Sequence, residues 1–242
     1  MEIYNGIQVI DHGLLLTKSK TIIISDLHIG KEDELTKQGL NIPINGYKDI
    51  QKRIQRILNK HKPKKFVING DVKHNFGRFG YEEWKRVSNI FQLIQKKSTL
   101  EVIRGNHDKI IKSATNKAGI KLLHHLKIND FYICHGHKKH ENKEYKESNV
   151  VIIGHLHPSI SISDGIREEK YKCFIKAKNE NKTIIVTPSF NILSEGSDIL
   201  RYKSNTPYIK EKEILKAQTY VVGEDEATYN FGTALDIKRR GR

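Results

Sequence analysis

Five short stretches of this chain carry side chains that bind cations or move protons. "SDLH" supplies Asp26 and His28, "NGDVKH" supplies Asp71 and His74, and "RGNHD" supplies Asn106, His107 and Asp108. "CHGH" adds His135 and His137, and "GHLH" adds His155 and His157. Oxygen and imidazole donors of this kind suit Mn²⁺, Fe²⁺, Zn²⁺, Ni²⁺ or Mg²⁺ better than a soft metal. They exceed what one tetrahedral ion needs. A pair of divalent ions roughly 3.5–4 Å apart, sharing one carboxylate, uses them better. Such a pair can hold a hydroxide, polarise a phosphoryl oxygen and offset charge on a departing group. Singly the signals are unequal: D-x-H is expected about half a time by chance in this composition, G-H-x-H only about 0.04 times. Twelve unconnected histidines are the bland alternative, but all five stretches follow β-like apolar runs.

Those runs are the elements that must position the chemistry. "TIIIS" (21–25), "KKFVIN" (64–69) and "TLEVI" (99–103) read as strands buried on both faces. Between them, Tyr47, Ile50, Ile54, Ile57 and Leu58 form one helical stripe, and Tyr81, Trp84, Val87, Phe91 and Ile94 another. A loop with Pro43 and Gly46 precedes the first helix, and "GIQVIDHGLLL" predicts an opening hairpin turning at Asp11–Gly13. Strand and helix alternation argues for a layered α/β sheet, whose carboxyl-end loops gather in one place. "FYIC" (131–134) and "VVII" (150–153) extend the series. From about residue 158, "SISIS", "YKCFIKA", "TIIVT" and "TYVVG" suggest a second, largely antiparallel sheet packed on the first. The polar segment 137–148 is expected to be an exposed loop or short helix. Gly70, Gly105 and Gly154 read as hinges that let loops bend sharply after strands.

Length bounds the organisation. The 242 residues suit one domain, with a motif-bearing part over about 21–190 and a β-rich completion over 191–242. A formal charge of +15 fits polyanionic partners, although lysine-rich composition also produces a merely solvated surface. The tail "KRRGR" is too short to read as a basic arm. Two cysteines, Cys134 and Cys173, each in an apolar stretch, read as reduced core residues rather than a disulfide framework. No apolar run approaches the roughly 18 residues of a membrane span, and "MEIYNGIQVIDHG" lacks the pattern of a signal peptide. The expectation is a cytoplasmic protein with no membrane partner.

The ordered set "SDLH", "NGDVKH", "RGNHD", "CHGH" and "IGHLH" resembles the calcineurin-like metallophosphoesterase superfamily. "LHIGKE", "GDVKHNFG" and "TPSFNILSEGSDI" are similar to an archaeal phosphoesterase subgroup related to the nuclease Mre11/SbcD. The resemblance implies a four-layer α/β/β/α sandwich, two mixed sheets flanked by helices, with a binuclear metal centre between the sheets. It gives the first metal Asp26, His28 and His157, with Asp71 bridging, and the second metal Asp71, Asn106, His135 and His155. Manganese is the ion expected first, with iron, zinc, nickel or magnesium as alternatives. His107 would protonate the leaving oxygen or steady charge on the phosphate, and Asp108 would orient His107. Arg104 stands where an arginine grips phosphate in the protein-phosphatase branch, or is simply a strand-end arginine. His137 supports the centre or is an exposed loop histidine. His74 departs from the pattern, since many members carry Asp or Asn there; it either donates to substrate phosphate or caps its loop.

Hydrolysis of a phosphodiester without a covalent intermediate is the expected reaction, because no suitable Ser or Cys nucleophile stands in the motif loops. The first expected substrate is DNA or RNA, on the subgroup likeness and the charge. Any groove would be built from the core domain or a homodimer. The alternatives are a phosphodiesterase or phosphatase for nucleotides or phosphoproteins, and a non-catalytic basic protein that binds nucleic acid.

Overall fold

The computed structural model describes residues 1–40, 45–77, 79–163, 167–201, 205–223 and 227–240. Pro43 and the final two residues of the tail lie outside that set. The first sheet has seven strands in sequence order: β1 (Glu2–Tyr4), β2 (Ile7–Ile10), β3 (Gly13–Leu16), β4 (Thr21–Ile24), β5 (Lys65–Asn69), β6 (Thr99–Ile103) and β7 (Lys121–Leu123). The hairpin over β2 and β3 turns at Asp11–His12, as its sequence predicts, and pairs Ile10 with Gly13. From β4 to β7 all neighbours are parallel. Helix α1 (Lys31–Lys37) follows β4. Helices α2 (Gly46–His61) and α3 (Tyr81–Gln95) make the long crossovers, and α4 (Lys112–Lys117) the short one. Asn45 caps α2 by accepting from the Lys48 amide at 3.0 Å. Tyr81 departs from its expected place in the apolar stripe: it opens α3 and is 79% exposed.

The second sheet comprises β8 (His125–Ile128), β9 (Phe131–Cys134), β10 (Val150–Ile153), β11 (Pro158–Ser163), β12 (Glu168–Asn179), β13 (Lys182–Val186), β14 (Ser197–Asp198), β15 (Gln218–Val222) and β16 (Thr228–Thr233). Here the expected layout needs correction. "FYIC" and "VVII" do not extend the first sheet. They are β9 and β10, adjacent and parallel in the second, with β13 parallel beyond them. Around this parallel centre the hairpins β8–β9, β11–β12 and β15–β16 are antiparallel. Each sheet therefore has a parallel core whose carboxyl ends can carry a site. The polar segment 137–148 holds a single short helix, α5 (Lys143–Glu147), capped by Asn142. Helices α6 (Glu211–Leu215) and α7 (Ala234–Arg240) complete the described elements. No described helix is long and apolar enough to cross a membrane.

Alternation along the strands builds three cores and hence four layers. Ile22, Ile24, Phe66, Ile68 and Val102 face α2 and α3, joining Ile54, Ile57, Val87, Ile90 and Phe91. Their neighbours Ile23, Val67 and Ile103 face the other way and meet Ile133, Val150, Ile152, Phe174 and Ile185 of the second sheet. Val151, Ile153, Cys173 and Ile175 point to the far side, against Tyr208, Ile214 of α6 and Ala234 of α7. Strands buried on both faces read as unbroken apolar runs, which is why the sequence marks them as strands without saying which sheet each joins. Each fully buried isoleucine contributes about 1.5–3 kcal/mol of transfer free energy. The central layer thus fixes one sheet's carboxyl ends opposite the other's. Both cysteines are buried and free; burial pushes the Cys134 thiol up to about 12.

Candidate metal centre

The loop after β4 and the loop after β5 run side by side. Asp26, His28 and Ile29 donate backbone N–H bonds to the carbonyls of Gly70, Asp71 and Val72, and His74 donates back to Ile29. That ladder holds Asp26 and His28 alongside Asp71. From the opposite sheet, the loops after β9 and β10 bring His135, His155 and His157. Three clusters of possible ligands result among the described residues, with ligand atoms inside each within 4.8 Å of one another. His28–His74–His107 holds only imidazoles, and the two donor groups that include a carboxylate are Asp26–His28–His157 and Asp71–His135–His155. His28 Nε2 lies 3.8 Å from Asp71 Oδ2 and His135 Nε2 lies 3.4 Å from the same oxygen, so Asp71 faces both groups. Asn106 Oδ1 is 3.0 Å from His135 Nε2. The seven residues expected to ligate therefore converge.

The donors fit divalent cations on three observations. First, Asp26 Oδ1 is buried and accepts no hydrogen bond; His157 Nε2 at 3.2 Å and His135 Nδ1 at 3.6 Å stand beside it without hydrogen-bond geometry. A buried, unpaired carboxylate oxygen is costly unless a cation completes it. Second, outer groups aim the imidazoles. His135 Nδ1 meets the Asn69 carbonyl at 3.2 Å and His157 Nδ1 meets Ser194 Oγ at 3.3 Å, leaving each Nε2 turned to the cluster. Third, Asp26, His28, Asp71, His155 and His157 all adopt positive φ, between 41° and 63°. Backbone strain of this kind persists where surrounding structure enforces it, commonly at functional sites.

Electrostatics point the same way. Burial opposes charge on His135, yet the Asp71 and Asp26 carboxylates overcome it and raise its pKa to about 9. Burial likewise raises Asp71, but the His135 hydrogen bond and charge, with His28, hold it well below the usual carboxylate range. Burial and the neighbouring His135 push His155 down to about 4. The carboxylates seek positive charge while the crowded imidazoles resist all being protonated, which is the condition that metal ions satisfy.

The glycines serve differently from their expected role as hinges. Only Gly70, at φ +81°, needs the left-handed region. At Gly105 a Cβ would collide with Asp71 Oδ1, and at Gly154 with Asp26 Oδ2. At Gly70 a Cβ would also collide with the His135 ring, so all three positions make room for the ligands.

The remaining expected residues divide. His107 arrives at the cluster: its backbone N–H donates to Asp71 Oδ1 at 2.9 Å and its Nε2 lies 3.8 Å from Asp71 Oδ2. His74 arrives too, with Nδ1 3.2 Å from His28 Nδ1 and Nε2 2.6 Å from Glu34 Oε2. His137 is exposed, its ring 5.2 Å from that of His135. Arg104 donates to the Lys109 carbonyl at 2.9 Å, at the exit of its own loop. Asp108 requires a correction, because its carboxylate does not orient the His107 ring. It is fully buried and accepts from the backbone amides of Val72 and Gly105, both at 3.0 Å. Asp108 thus ties the Asp71 loop to the Asn106 loop, while the His74 carbonyl faces His107 Nδ1.

Sequence reasoning missed the brace behind the first donor group. Ser189 Oγ donates to the Asp26 carbonyl at 2.7 Å, and Asn191 Nδ2 donates to the carbonyls of Leu27 and His28. The ammonium of the half-buried Lys172 holds the Ser189 and Asn191 carbonyls in turn. Arg53 of α2 donates to the Phe190 carbonyl at 2.7 Å and pairs with Asp11 of the β2–β3 turn. The signal was present as polar residues in "TPSFN" directly after the buried run of β13.

Comparisons with known proteins agree with this arrangement. No protein of curated function matches the chain by sequence. Among solved structures, the nuclease MPE of Pseudomonas putida is similar at 18% identity with TM-score 0.66, over 93% of this chain and 94% of that one, which shows a shared fold. Yfce, a phosphoesterase from E. coli, is similar at 14% identity with TM-score 0.44, over 88% and 98%, too loose a superposition to bear on the fold. Residues 19–204, which hold every donor described above, match the model of the calcineurin-like phosphoesterases. A mixed-sheet sandwich with donors at facing strand ends and a family match over most of the chain lead to one conclusion: this protein belongs to the calcineurin-like phosphoesterase family and is a hydrolase.

Proposed function

We propose that the protein hydrolyses phosphodiester bonds in DNA or RNA, with two divalent ions held by Asp26, His28 and His157 on one side and Asp71, Asn106, His135 and His155 on the other. The observation that carries the reading is the position of Asp71, facing both donor groups and His107 at once. When bound, the ions supply an activated water and Lewis-acid stabilisation of phosphoryl oxygens. The chain's own residues do the rest. A carbonyl only accepts, so His107 Nδ1 carries its proton toward His74 and leaves Nε2 facing the cluster. A charged His107 can then pass the Nε2 proton to a leaving oxygen. The exposed His137 flanks the donors and would meet substrate oxygens; His74 would do so on giving up Glu34 or His28. Arg104 would join them through guanidinium donors that the Lys109 carbonyl does not take. The formal charge of +15 supports a polyanionic substrate.

The test is a matrix of metals against substrates, manganese first, then iron, zinc, nickel and magnesium. The substrates span oligonucleotides, cyclic nucleotides, phosphopeptides and an aryl phosphodiester. Oligonucleotide cleavage, with affinity falling steeply between about 50 and 200 mM salt, supports the reading; aryl or nucleotide turnover without it assigns the protein to small esters. Within that matrix His107→Asn should keep its metal and slow turnover by about two to four decades. Loss of metal from this variant would remove His107 from the proton-transfer role.

A further inference from the structure

The loop between β5 and α3 presents an aromatic ring where burial alone would not put one. Phe76 is 54% exposed, and its ring stacks on His107 with centroids 3.8 Å apart and planes 29° apart. The backbone that carries it is clamped from below. Lys73 is fully buried, and its ammonium donates to the carbonyls of Asn75 and of Gly77, the two residues flanking Phe76. Glu83 Oε2 at 3.6 Å and the Phe79 ring at 5.2 Å complete the lysine's surroundings. A buried ammonium is costly and is retained here by holding one turn in shape. That turn sets Phe76 on top of His107, with one face against the imidazole and more than half of the residue exposed.

We propose that the open face of Phe76 is a stacking platform for a nucleobase beside the bond being cleaved. The assignment rests on the nucleic-acid reading above and deepens it, naming the part of the substrate other than phosphate that the site recognises. His107 faces the cluster where a phosphate would sit, and Phe76 lies one aromatic layer beyond it, within reach of a base attached to that phosphate through its sugar. An aromatic face accepts any base, so the platform gives affinity without sequence preference. A ring needed only to prop His107 would gain more by turning its outer face inward.

The experiment uses the manganese-loaded full chain and two labelled oligomers of equal length and backbone charge, one oligothymidylate and one abasic throughout. Wild type should favour the base-bearing oligomer in kcat/KM. Phe76→Ala should lower that ratio by roughly 5- to 150-fold, the worth of one base–aromatic stack, with the change falling mainly on KM. Phe76→Trp should restore it. An oligomer containing 2-aminopurine, titrated with metal-free protein in EDTA, should be quenched by wild type and Phe76→Trp but not by Phe76→Ala. If Phe76→Ala slows both oligomers alike, leaving the ratio unchanged, Phe76 only supports His107 and the platform is overturned. Wild type that cleaves both oligomers equally overturns the platform but leaves the nuclease reading standing. Wild type that cleaves neither, yet hydrolyses an aryl phosphodiester, overturns both.

Discussion

Asp11 and Asp26 are two buried carboxylates on positive φ, one at the β2–β3 turn and the other after β4. Their surroundings differ in completeness. Asp11 Oδ2 accepts from Arg53 Nε and Arg56 Nη2, each at 3.0 Å, and its Oδ1 meets Arg53 Nη2, the His12 amide and His12 Nδ1. Every lone pair that burial strips of water finds a donor from the chain. Asp26 Oδ2 accepts from the His155 amide at 3.1 Å, but its Oδ1 accepts nothing. Burial and backbone strain therefore do not by themselves mark the metal centre. Glu83 Oε1 and Asp198 Oδ2 are also buried without a hydrogen bond, so what marks the centre is an unfinished shell on a carboxylate that imidazoles from two loops flank. The finished one is an anchor, tying α2 through Arg53 to the loop that braces Asp26 and His28.

The largest effect that would separate the two regions is loss of Asp71. Asp71→Ala removes the carboxylate that faces both donor groups and His107 at once. Turnover should vanish and metal content, measured by mass spectrometry, should fall below two ions per chain. Manganese at about 100 times its Kd should stabilise wild type by about 2.7 kcal/mol for each ion bound only to the folded state, and Asp71→Ala by far less. A fully metallated, active Asp71→Ala would mean that the cluster is closed without it, like Asp11.

Arg53→Ala probes the other side of the contrast. Removing the guanidinium leaves the buried Asp11 carboxylate to Arg56 and His12 alone, so the loss should approach but stay below the about 3–5 kcal/mol of a buried charge left wholly unpaired. Urea unfolding should register that loss, while metal content at saturating manganese stays at the wild-type value, because Arg53 touches no donor. Double replacement with Asp11→Asn should recover part of the stability. A variant that keeps its stability and loses its metal would show that the anchor belongs to the centre rather than beneath it.

The two regions also differed in how plainly the sequence announced them. Asp26, His28, Asp71, Asn106, His135, His155 and His157 were legible because each follows an apolar run and its type suits a cation. Their supports were not, since each depends on long-range packing. Lys73 and Lys172 look like any surface lysine, yet the first is buried, the second half-buried, and both grip loop carbonyls. Asp108 adjoins His107 in sequence, but the turn points its carboxylate at the amides of Val72 and Gly105. Gly105 and Gly154 read as hinges because the close approach of Asp71 and Asp26 is made by loops from distant parts of the chain. The strands were visible and their sheets were not: β9 and β10 are as apolar as β4 and β5, and periodicity cannot say which layer an element buried on both faces occupies.

The smallest expected effect is a pH dependence belonging to the anchor alone. Burial raises the Asp11 pKa, but its bonds to His12 and Arg53 hold it well below the ordinary carboxylate value of 3.8. A depressed folded-state pKa means that the unfolded chain binds the proton first. Asp11 therefore contributes its full stabilisation above the unfolded value, near pH 4, and loses it as the pH falls below that toward the folded value. The difference in unfolding free energy between wild type and Asp11→Asn should be flat from pH 7 to about pH 5. Below that it should shrink by up to about 1.4 kcal/mol per pH unit, the limit for one proton. Equilibrium urea unfolding of the metal-free proteins between pH 3 and 7 measures it, with His12→Asn in both chains. The imidazole bonded to Asp11 is pushed by burial down to about 4 and would otherwise titrate in the same window; the subtraction then removes the carboxylates common to both. A difference that stays constant down to pH 3 would mean that Asp11 titrates like a free carboxylate, and the finished shell around it would then contribute packing rather than charge pairing.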